Sequence, residues 1–122
     1  MANRDVALQM FSGRNFTGRR IVLRRGGVAI RDMGAFRFNN ELSSFRLRNR
    51  SLTDSVTLVL FSRVNFQGAV RVFRGEQSVS NLGAFNDATS SAVLVGRNLT
   101  DAEIREIRRT GTPPRDVLVI RQ

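Results

Sequence analysis

Short stretches of alternating apolar and polar residues recur along the chain and predict β-strands. Residues 6–11 carry their larger apolar side chains at every second position, and residues 56–61 repeat this pattern. Residues 20–24 and 70–74 form a second matching pair of short stretches. Glycines separate these stretches, as is typical of turns. The pattern predicts an all-β chain built from two similar halves.

One matching pair of predicted strands differs in its polar positions. Residues 44–48 alternate between apolar and arginine side chains, which predicts that Phe45 and Leu47 face inward while two arginines face outward. The matching residues 92–95 are apolar throughout. A strand without a polar face is expected where both faces of a sheet are covered. We therefore expect the second half to be covered on its outer side as well.

An internal repeat organises the predicted strands. The octet Phe11–Gly18 recurs as Phe61–Gly68, at an offset of 50 residues. The hexad Asn39–Ser44 recurs as Asn86–Ser91, at an offset of 47 residues. Two such copies packed face to face predict an antiparallel β-sandwich with one shared core.

Composition excludes much catalytic chemistry. The chain of 122 residues contains no Cys, His, Trp or Tyr, and all 20 of its basic residues are Arg. Thiolate nucleophiles, imidazole bases, Schiff bases and zinc–thiolate sites are therefore excluded. The remaining carboxylates, hydroxyls, amides and carbonyls favour hard cations or anion binding over catalysis. No apolar run approaches the roughly 20 residues that span a bilayer.

The formal net charge of +10 is unevenly distributed. Residues 6–50 carry ten Arg and two acids, a net of +8. Residues 51–97 carry four Arg and three acids, and residues 98–122 carry five Arg and four acids, so each segment has a net of +1. Two explanations stay open: a coding bias toward Arg, or a basic face that binds a polyanion.

The paired octet and hexad resemble the Greek-key motif of the βγ-crystallin family. The octet is aromatic, four residues, aromatic, one residue, Gly, and the hexad is [Asn/Asp]-[Asn/Asp]-x-x-[Ser/Thr]-Ser. The resemblance implies a βγ-crystallin-type β-sandwich of two Greek-key motifs. It implies a domain at residues 1–97, with motif 1 at about 6–50 and motif 2 at about 51–97. Residues 98–122 are then a C-terminal extension packed on that domain.

The presence of a hexad in each motif resembles the microbial, calcium-binding branch of that family. The resemblance implies a non-enzymatic protein with two Ca²⁺ sites, each shared between the motifs, that stabilise the fold. The implied ligands are hexad side chains and carbonyls, and the carbonyl after the first octet aromatic. On this chain they are Ser12, Asn39, Asn40, Glu41, Ser43, Ser62, Asn86, Asp87, Ala88 and Ser90. The final hexad serines, Ser44 and Ser91, are expected to bond loop backbone instead of metal.

The hexads also have an explanation without metal, because Asn, Asp and Ser commonly form turns and bond local backbone. Across both hexads the only acids are Glu41 and Asp87, and Glu41 stands where the family uses a carbonyl. Calcium affinity falls with the number of charged ligands. We therefore expect binding in the micromolar-to-millimolar range.

The C-terminal tail has no counterpart in the repeat. Thr100–Glu103 is a capping box, and Ile104 and Ile107 follow at helical spacing. Gly111 predicts the end of this helix, and residues 117–120 predict a strand. We expect that strand to pair with a sheet edge of its own chain; the alternative is a partner chain.

Other functions stay open. A polyanion- or nucleic-acid-binding module would use the Arg-rich first motif, although the chain has no Tyr or Trp for base stacking. A small inhibitor- or toxin-like crystallin fold is a third class, but such proteins usually depend on disulfides. Residues 1–5 lack the basic-then-apolar order of a secretory signal, and both a cytoplasmic and a secreted location stay open. The expected state is a monomer or a weak dimer.

Overall fold

The computed structural model describes residues 6–23, 27–33, 42–49, 56–82, 89–96, 98–113 and 118–120. Within these ranges the strands are β1 (Val6–Gly13), β2 (Thr17–Leu23), β3 (Val28–Ile30), β4 (Ser44–Asn49), β5 (Thr57–Arg63), β6 (Gln67–Arg74), β7 (Gln77–Val79), β8 (Ser91–Val95) and β9 (Leu118–Ile120). The helix α1 (Asp101–Thr110) lies between β8 and β9, and a 3₁₀ turn, Val64–Phe66, joins β5 to β6. No helix in the described ranges is long and apolar enough to cross a membrane.

The strands form two sheets that exchange one strand between the repeats. The first sheet has the order β2-β1-β4-β7, and the second has the order β6-β5-β8-β3-β9. Strand β3 comes from the first repeat but lies in the second sheet, and β7 makes the reverse exchange. Neighbouring strands are antiparallel except for β3 and β9, which are parallel. The predicted sandwich with a C-terminal helix and strand is confirmed, and the exchange ties both repeats into it.

The main core lies between the sheets and takes the inward side chains of both repeats. Its buried members are Val6, Leu8, Met10, Val28, Ile30, Met33, Leu42, Phe45, Leu47, Val56, Leu58, Leu60, Leu82, Ala92 and Leu94. Phe45 and Leu47 are fully buried, whereas Arg46 and Arg48 between and beyond them retain exposed surface. The alternation along β4 therefore predicted its two faces correctly.

A second apolar cluster lies on the other side of the five-stranded sheet, beneath α1. The sheet contributes Val59, Val93 and Val95, and the helix contributes Ile104 and Ile107. Each of these side chains is at most 5% exposed. The expectation that the apolar strand of the second repeat is covered on both faces is confirmed.

The helix α1 begins and ends at the predicted signals. Thr100 Oγ1 accepts a hydrogen bond from Glu103 N at 3.2 Å, and Glu103 Oε1 accepts one from Thr100 N at 3.1 Å. Gly111 has a φ of +65° and donates its N–H to Ile107 O at 2.8 Å. Strand β9 then pairs with β3 at the edge of the second sheet, so the C-terminal strand lies on its own chain, as predicted.

Candidate metal centre

Each octet folds into a hairpin with a left-handed bend. The φ angle is +55° at Asn15 and +62° at Phe16 in the first repeat, and +58° at Asn65 and +62° at Phe66 in the second. Left-handed backbone costs a residue with a Cβ about 1–2 kcal/mol, and Asn tolerates it better than Phe. Contacts elsewhere in the hairpin must hold each phenylalanine in this conformation.

Edge-on aromatic pairs supply one of these contacts. The ring centroids of Phe11 and Phe16 are 5.7 Å apart, and those of Phe61 and Phe66 are 5.6 Å apart. Both pairs are T-shaped, with interplanar angles of 72° and 69°. Such a pair contributes about 0.5–1.5 kcal/mol beyond the burial of its area, which offsets part of the backbone strain.

The octet glycines make room for a serine hydroxyl. Gly18 has a φ of +82° and Gly68 a φ of +84°, and a Cβ at either position would collide with the hydroxyl of Ser12 or Ser62. Each hydroxyl accepts a hydrogen bond at 2.8 Å from the N–H of the residue after the glycine. The fixed spacing of the octet therefore has a steric cause that applies in both repeats.

The last serine of each hexad fastens the hexad to the octet. Ser44 Oγ accepts a hydrogen bond from Phe16 N at 3.0 Å and donates one to Gly13 O at 2.6 Å. Ser91 makes the same two bonds, at 3.0 and 2.6 Å, with the matching backbone groups of the second octet. The expectation that these serines bond loop backbone is confirmed.

The fifth residue of each hexad lies against the start of the octet. Ser43 N donates to Phe11 O at 2.9 Å, and Ser90 N donates to Phe61 O at 2.8 Å. In the first repeat, Ser43 Oγ also donates to Ser12 O at 3.0 Å. Ser43 is 3% exposed and Ser90 is 6% exposed. A side-chain oxygen and a backbone oxygen thus converge where the hexad meets the octet, a place that we call the octet–hexad junction.

Both junctions include backbone from the opposite repeat. Ser43 O accepts a hydrogen bond from Leu82 N at 3.1 Å, and Ser90 O accepts one from Met33 N at 2.7 Å. The left-handed asparagines of the octets also donate their N–H groups to the opposite repeat, at 2.8 Å in each case. Each junction is therefore held by the two motifs together.

No family model and no curated protein sequence matches the chain. Solved structures match it by shape. A βγ-crystallin from Ciona intestinalis is 21% identical, with a TM-score of 0.56 over 71% of this chain and 96% of that one. The N-terminal domain of Protein S is 20% identical, with a TM-score of 0.58 over 76% and 99%. A double mutant of a βγ-crystallin domain from Clostridium beijerinckii is 18% identical, with a TM-score of 0.59 over 74% and 97%. The chain has the βγ-crystallin fold.

The ten residues that the βγ-crystallin resemblance implies as ligands divide into two groups. Ser12, Ser43, Ser62 and Ser90 lie within the described residues, at the two junctions. The others lie outside the described residues: Asn39, Asn40, Glu41, Asn86, Asp87 and Ala88. Among the residues that are described, no group of three or more acidic side chains is arranged to hold a metal ion.

The fourth hexad position of this βγ-crystallin fold differs between the repeats and was not among the predicted ligands. Thr89 occupies this position in the second hexad and Leu42 in the first, and both are fully buried. Within the described part of the chain, Thr89 Oγ1 is a buried side-chain oxygen without a hydrogen-bond partner. Such a group costs about 1–3 kcal/mol. The sequence does contain a sign of this difference, because the second hexad has threonine at the position where the first hexad has leucine.

The carboxylate of Asp32, which follows Arg31 beside the second junction, was also absent from the ligand set predicted from the sequence. Asp32 lies between Arg31, whose carbonyl accepts the Asn65 N–H at 2.8 Å, and Met33, whose N–H bonds Ser90 O. Asp32 is exposed, and it adds negative charge near this end of the βγ-crystallin sandwich. Nothing in the linear pattern of the first repeat points to the second hexad, because the contact arises from packing between the repeats.

Proposed function

We propose that this chain is a non-enzymatic calcium-binding protein with two Ca²⁺ sites, one at each octet–hexad junction. The observation that carries the proposal is the approach of Ser43 Oγ to Ser12 O at 3.0 Å. These two oxygens come from positions 31 residues apart and belong to the same implied ligand set. The calcium would stabilise the fold instead of taking part in a reaction.

A separation of 3.0 Å suits two ligands of one calcium ion. Calcium–oxygen distances are about 2.3–2.6 Å, so two ligands about 75–80° apart around the ion stand roughly 3 Å from each other. The Ser43 hydroxyl can turn its proton away from Ser12 O and present a lone pair to the ion. Because backbone bonds hold Ser43 and Ser90 in place, binding would need little rearrangement of these residues.

The remaining proposed ligands are hard oxygen donors. The hexads contain Asn amides, the carboxylates of Glu41 and Asp87, and backbone carbonyls such as that of Ala88. Calcium accepts this mixture, whereas soft transition metals prefer the thiolate and imidazole groups that the chain lacks. The donor chemistry therefore fits calcium better than it fits zinc or copper.

The proposed affinity is low because few ligands carry charge and the chain has a net charge of +10. We expect dissociation constants in the micromolar-to-millimolar range. At a free calcium concentration of 100 times the dissociation constant, one site adds about 2.7 kcal/mol to the free energy of unfolding. A gain of that size raises the melting temperature by roughly ten degrees.

Ser43→Ala tests the observation that carries the proposal. The substitution removes one proposed ligand oxygen but keeps the Ser43 N–H bond to Phe11 O. Ser78→Ala, at an exposed position of β7, is the matched control. In thermal melts with calcium at about 100 times the dissociation constant against chelator, we expect wild type and the control to gain roughly ten degrees or more, and Ser43→Ala to gain about half as much.

Two results would contradict this proposal. An equal calcium-dependent shift in Ser43→Ala and wild type would remove the first junction as a site. No shift in the wild-type melting temperature, together with no heat of binding, would remove calcium from the function.

We also propose that the chain consists of a domain at residues 1–97 and a C-terminal extension at residues 98–122. The packing of Ile104 and Ile107 against the second sheet supports an extension that belongs to the same folding unit. No observation favours an inhibitor- or toxin-like function. The polyanion-binding alternative depends on another surface, the outer side of the four-stranded sheet.

A further inference from the structure

The outer side of the four-stranded sheet is basic. We call it the arginine face and define it by Arg20 of β2 and by Arg46 and Arg48 of β4. The strands β1, β2, β4 and β7 contain no Asp or Glu. Within the described residues, none of these three guanidinium groups has an acidic partner. Glu76, directly before β7, accepts the Asn49 N–H at 2.9 Å, so its carboxylate offsets part of the charge near Arg48. The three arginines still leave this face with a net positive charge that is available to an anion.

The register of the sheet arranges these charges as a patch. Arg46 and Arg48 lie on the same side of β4, about 7 Å apart along the strand. Arg20 lies two strand spacings away on the far side of β1, level with Ser44, which puts it about 12 Å from Arg46 and about 17 Å from Arg48. On this side β1 presents Phe11 level with Arg20, Gln9 level with Arg46 and Ala7 level with Arg48, and all three side chains are uncharged. A patch of this shape suits a polymer with repeated negative charges better than a single small anion.

A stacking platform lies beside this patch. The Arg46 guanidinium carbon is 4.2 Å from the centroid of the Phe16 ring, so the two groups are stacked. Phe16 is partly exposed, whereas its counterpart Phe66 is fully buried, and Arg46 also retains exposed surface. Nucleobases stack on aromatic rings and on guanidinium planes. The platform that Tyr or Trp often provides is thus available from Phe and Arg.

We propose that the arginine face binds single-stranded nucleic acid. Arg20 and Arg48 contact phosphates, and a base stacks on the Arg46–Phe16 pair. Phosphate contacts of this kind give binding that falls steeply with salt and carries no sequence information. A sulfated polysaccharide would use the same charges but has no base to stack, so the platform favours nucleic acid. None of these four residues is a proposed calcium ligand, although Phe16 N bonds Ser44 Oγ next to the first junction.

Fluorescence anisotropy of a dye-labelled oligothymidylate of roughly 20 nucleotides, added to the full chain, tests this proposal. The titration is repeated from about 50 to 200 mM salt, because phosphate contacts are read from the salt dependence. We expect Arg20→Gln with Arg48→Gln to weaken binding at least about tenfold and to reduce the slope of log K against log salt by about 1.4. We expect Arg46→Gln to weaken binding about tenfold or more through lost stacking.

The matched control removes the same charge from another surface. Arg105→Gln with Arg108→Gln changes two exposed positions of α1, and both double variants reduce the net charge from +10 to +8. We expect the control pair to change affinity less than about twofold, and thermal melts check that every variant is folded.

Three results would overturn the proposal. The first is no binding near 50 mM salt. The second is equal weakening by the arginine-face and α1 double variants, which would make binding an effect of total charge. The third is heparin binding that depends on the arginine face while the oligonucleotide does not bind, which would assign the face to sulfated polysaccharides. Unchanged oligonucleotide binding in Ser43→Ala would show that this activity is independent of the calcium proposal.

Discussion

The two sheets share one framework but have opposite chemistry on their outer sides. Strand β4 of the first sheet directs Arg46 and Arg48 outward, and the matching positions of β8 in the second sheet are Val93 and Val95. The two valines are at most 1% exposed beneath α1, whereas the two arginines retain exposed surface. The outer side of a sheet is thus either charged and hydrated or apolar and covered, because burying an unpaired charge is costly.

This difference accounts for part of the uneven charge. The first repeat has a net charge of +8 and the second has +1, a difference of seven. Three of the seven come from outward positions that are Arg in the first repeat and Val in the second. These pairs are Arg20 and Val70, Arg46 and Val93, and Arg48 and Val95. The coverage by α1 therefore explains why these three charges have no counterpart in the second repeat.

One residue from each repeat holds the C-terminal end of α1, the helix that covers the second sheet. Arg31 NH1 donates to Gly111 O at 2.9 Å, and Gln67 Nε2 donates to Arg108 O at 2.7 Å. These bonds satisfy carbonyls at the C-terminal end of α1, where the helix leaves acceptors unpaired. Positive charge is also favourable near this end of a helix, and Arg31 supplies it.

Exchanging residues between the two outer sides has the largest expected effect. Val93→Arg would place a guanidinium beneath α1 without a partner, or would force the helix away from the sheet. We expect a loss of more than about 4 kcal/mol in the free energy of unfolding, measured by urea denaturation. The reverse change, Arg46→Val, should alter stability by less than about 1 kcal/mol because Arg46 is partly exposed. A cost below about 1 kcal/mol for Val93→Arg would contradict the role assigned to the cover.

Substitution of the octet glycines should destabilise the two repeats by similar amounts. Gly18→Ala and Gly68→Ala each combine left-handed strain with a collision at a serine hydroxyl, so each should cost about 2–3 kcal/mol. Gly75→Ala is the control, since Gly75 has a φ of +84° but open space around a Cβ. It should cost about 1 kcal/mol, from backbone strain alone. Equal losses at all three glycines would show that the collision with the hydroxyl contributes nothing.

The smallest expected effect concerns an exposed ion pair on α1. A hydrogen bond from Arg109 holds the pKa of Glu106 below its ordinary value of 4.5. A carboxyl whose pKa is lowered by folding stabilises the fold above its unfolded pKa, and that contribution is lost as the pH falls through the folded pKa. We therefore expect Glu106→Gln to flatten the pH dependence of the melting temperature slightly at acidic pH, with little change at pH 7. An unchanged profile would mean that the pair is neutral for stability.

Local patterns predicted the faces of individual strands. Alternation placed Phe45 and Leu47 in the core, the unbroken apolar run of β8 predicted a covered sheet, and Thr100–Glu103 predicted the start of α1. Each of these features depends on residues that are close in sequence. The exchange of β3 and β7 between the sheets was not predicted, because a three-residue strand carries no pattern that selects its neighbour.

The candidate site shows the same limit. The resemblance implied Ser12 and Ser43 as ligands, and the structure shows a hydrogen bond between Ser43 Oγ and Ser12 O. The positions of Asp32 and Thr89 relative to the second junction depend on packing between repeats, which spacing along the chain does not reveal. The stacking of Arg46 on Phe16 was missed for a similar reason, since it joins β4 to a bend 30 residues earlier.

Calorimetric titration of calcium into the chelator-stripped full chain tests the central proposal most directly. Two matching junctions predict two calcium ions bound per chain, with dissociation constants in the micromolar-to-millimolar range. Ser43→Ala should reduce the stoichiometry to one, while Ser78→Ala should leave it at two. No heat from calcium in the wild-type chain, or an unaltered stoichiometry in Ser43→Ala, would contradict the assignment of the octet–hexad junctions as calcium sites.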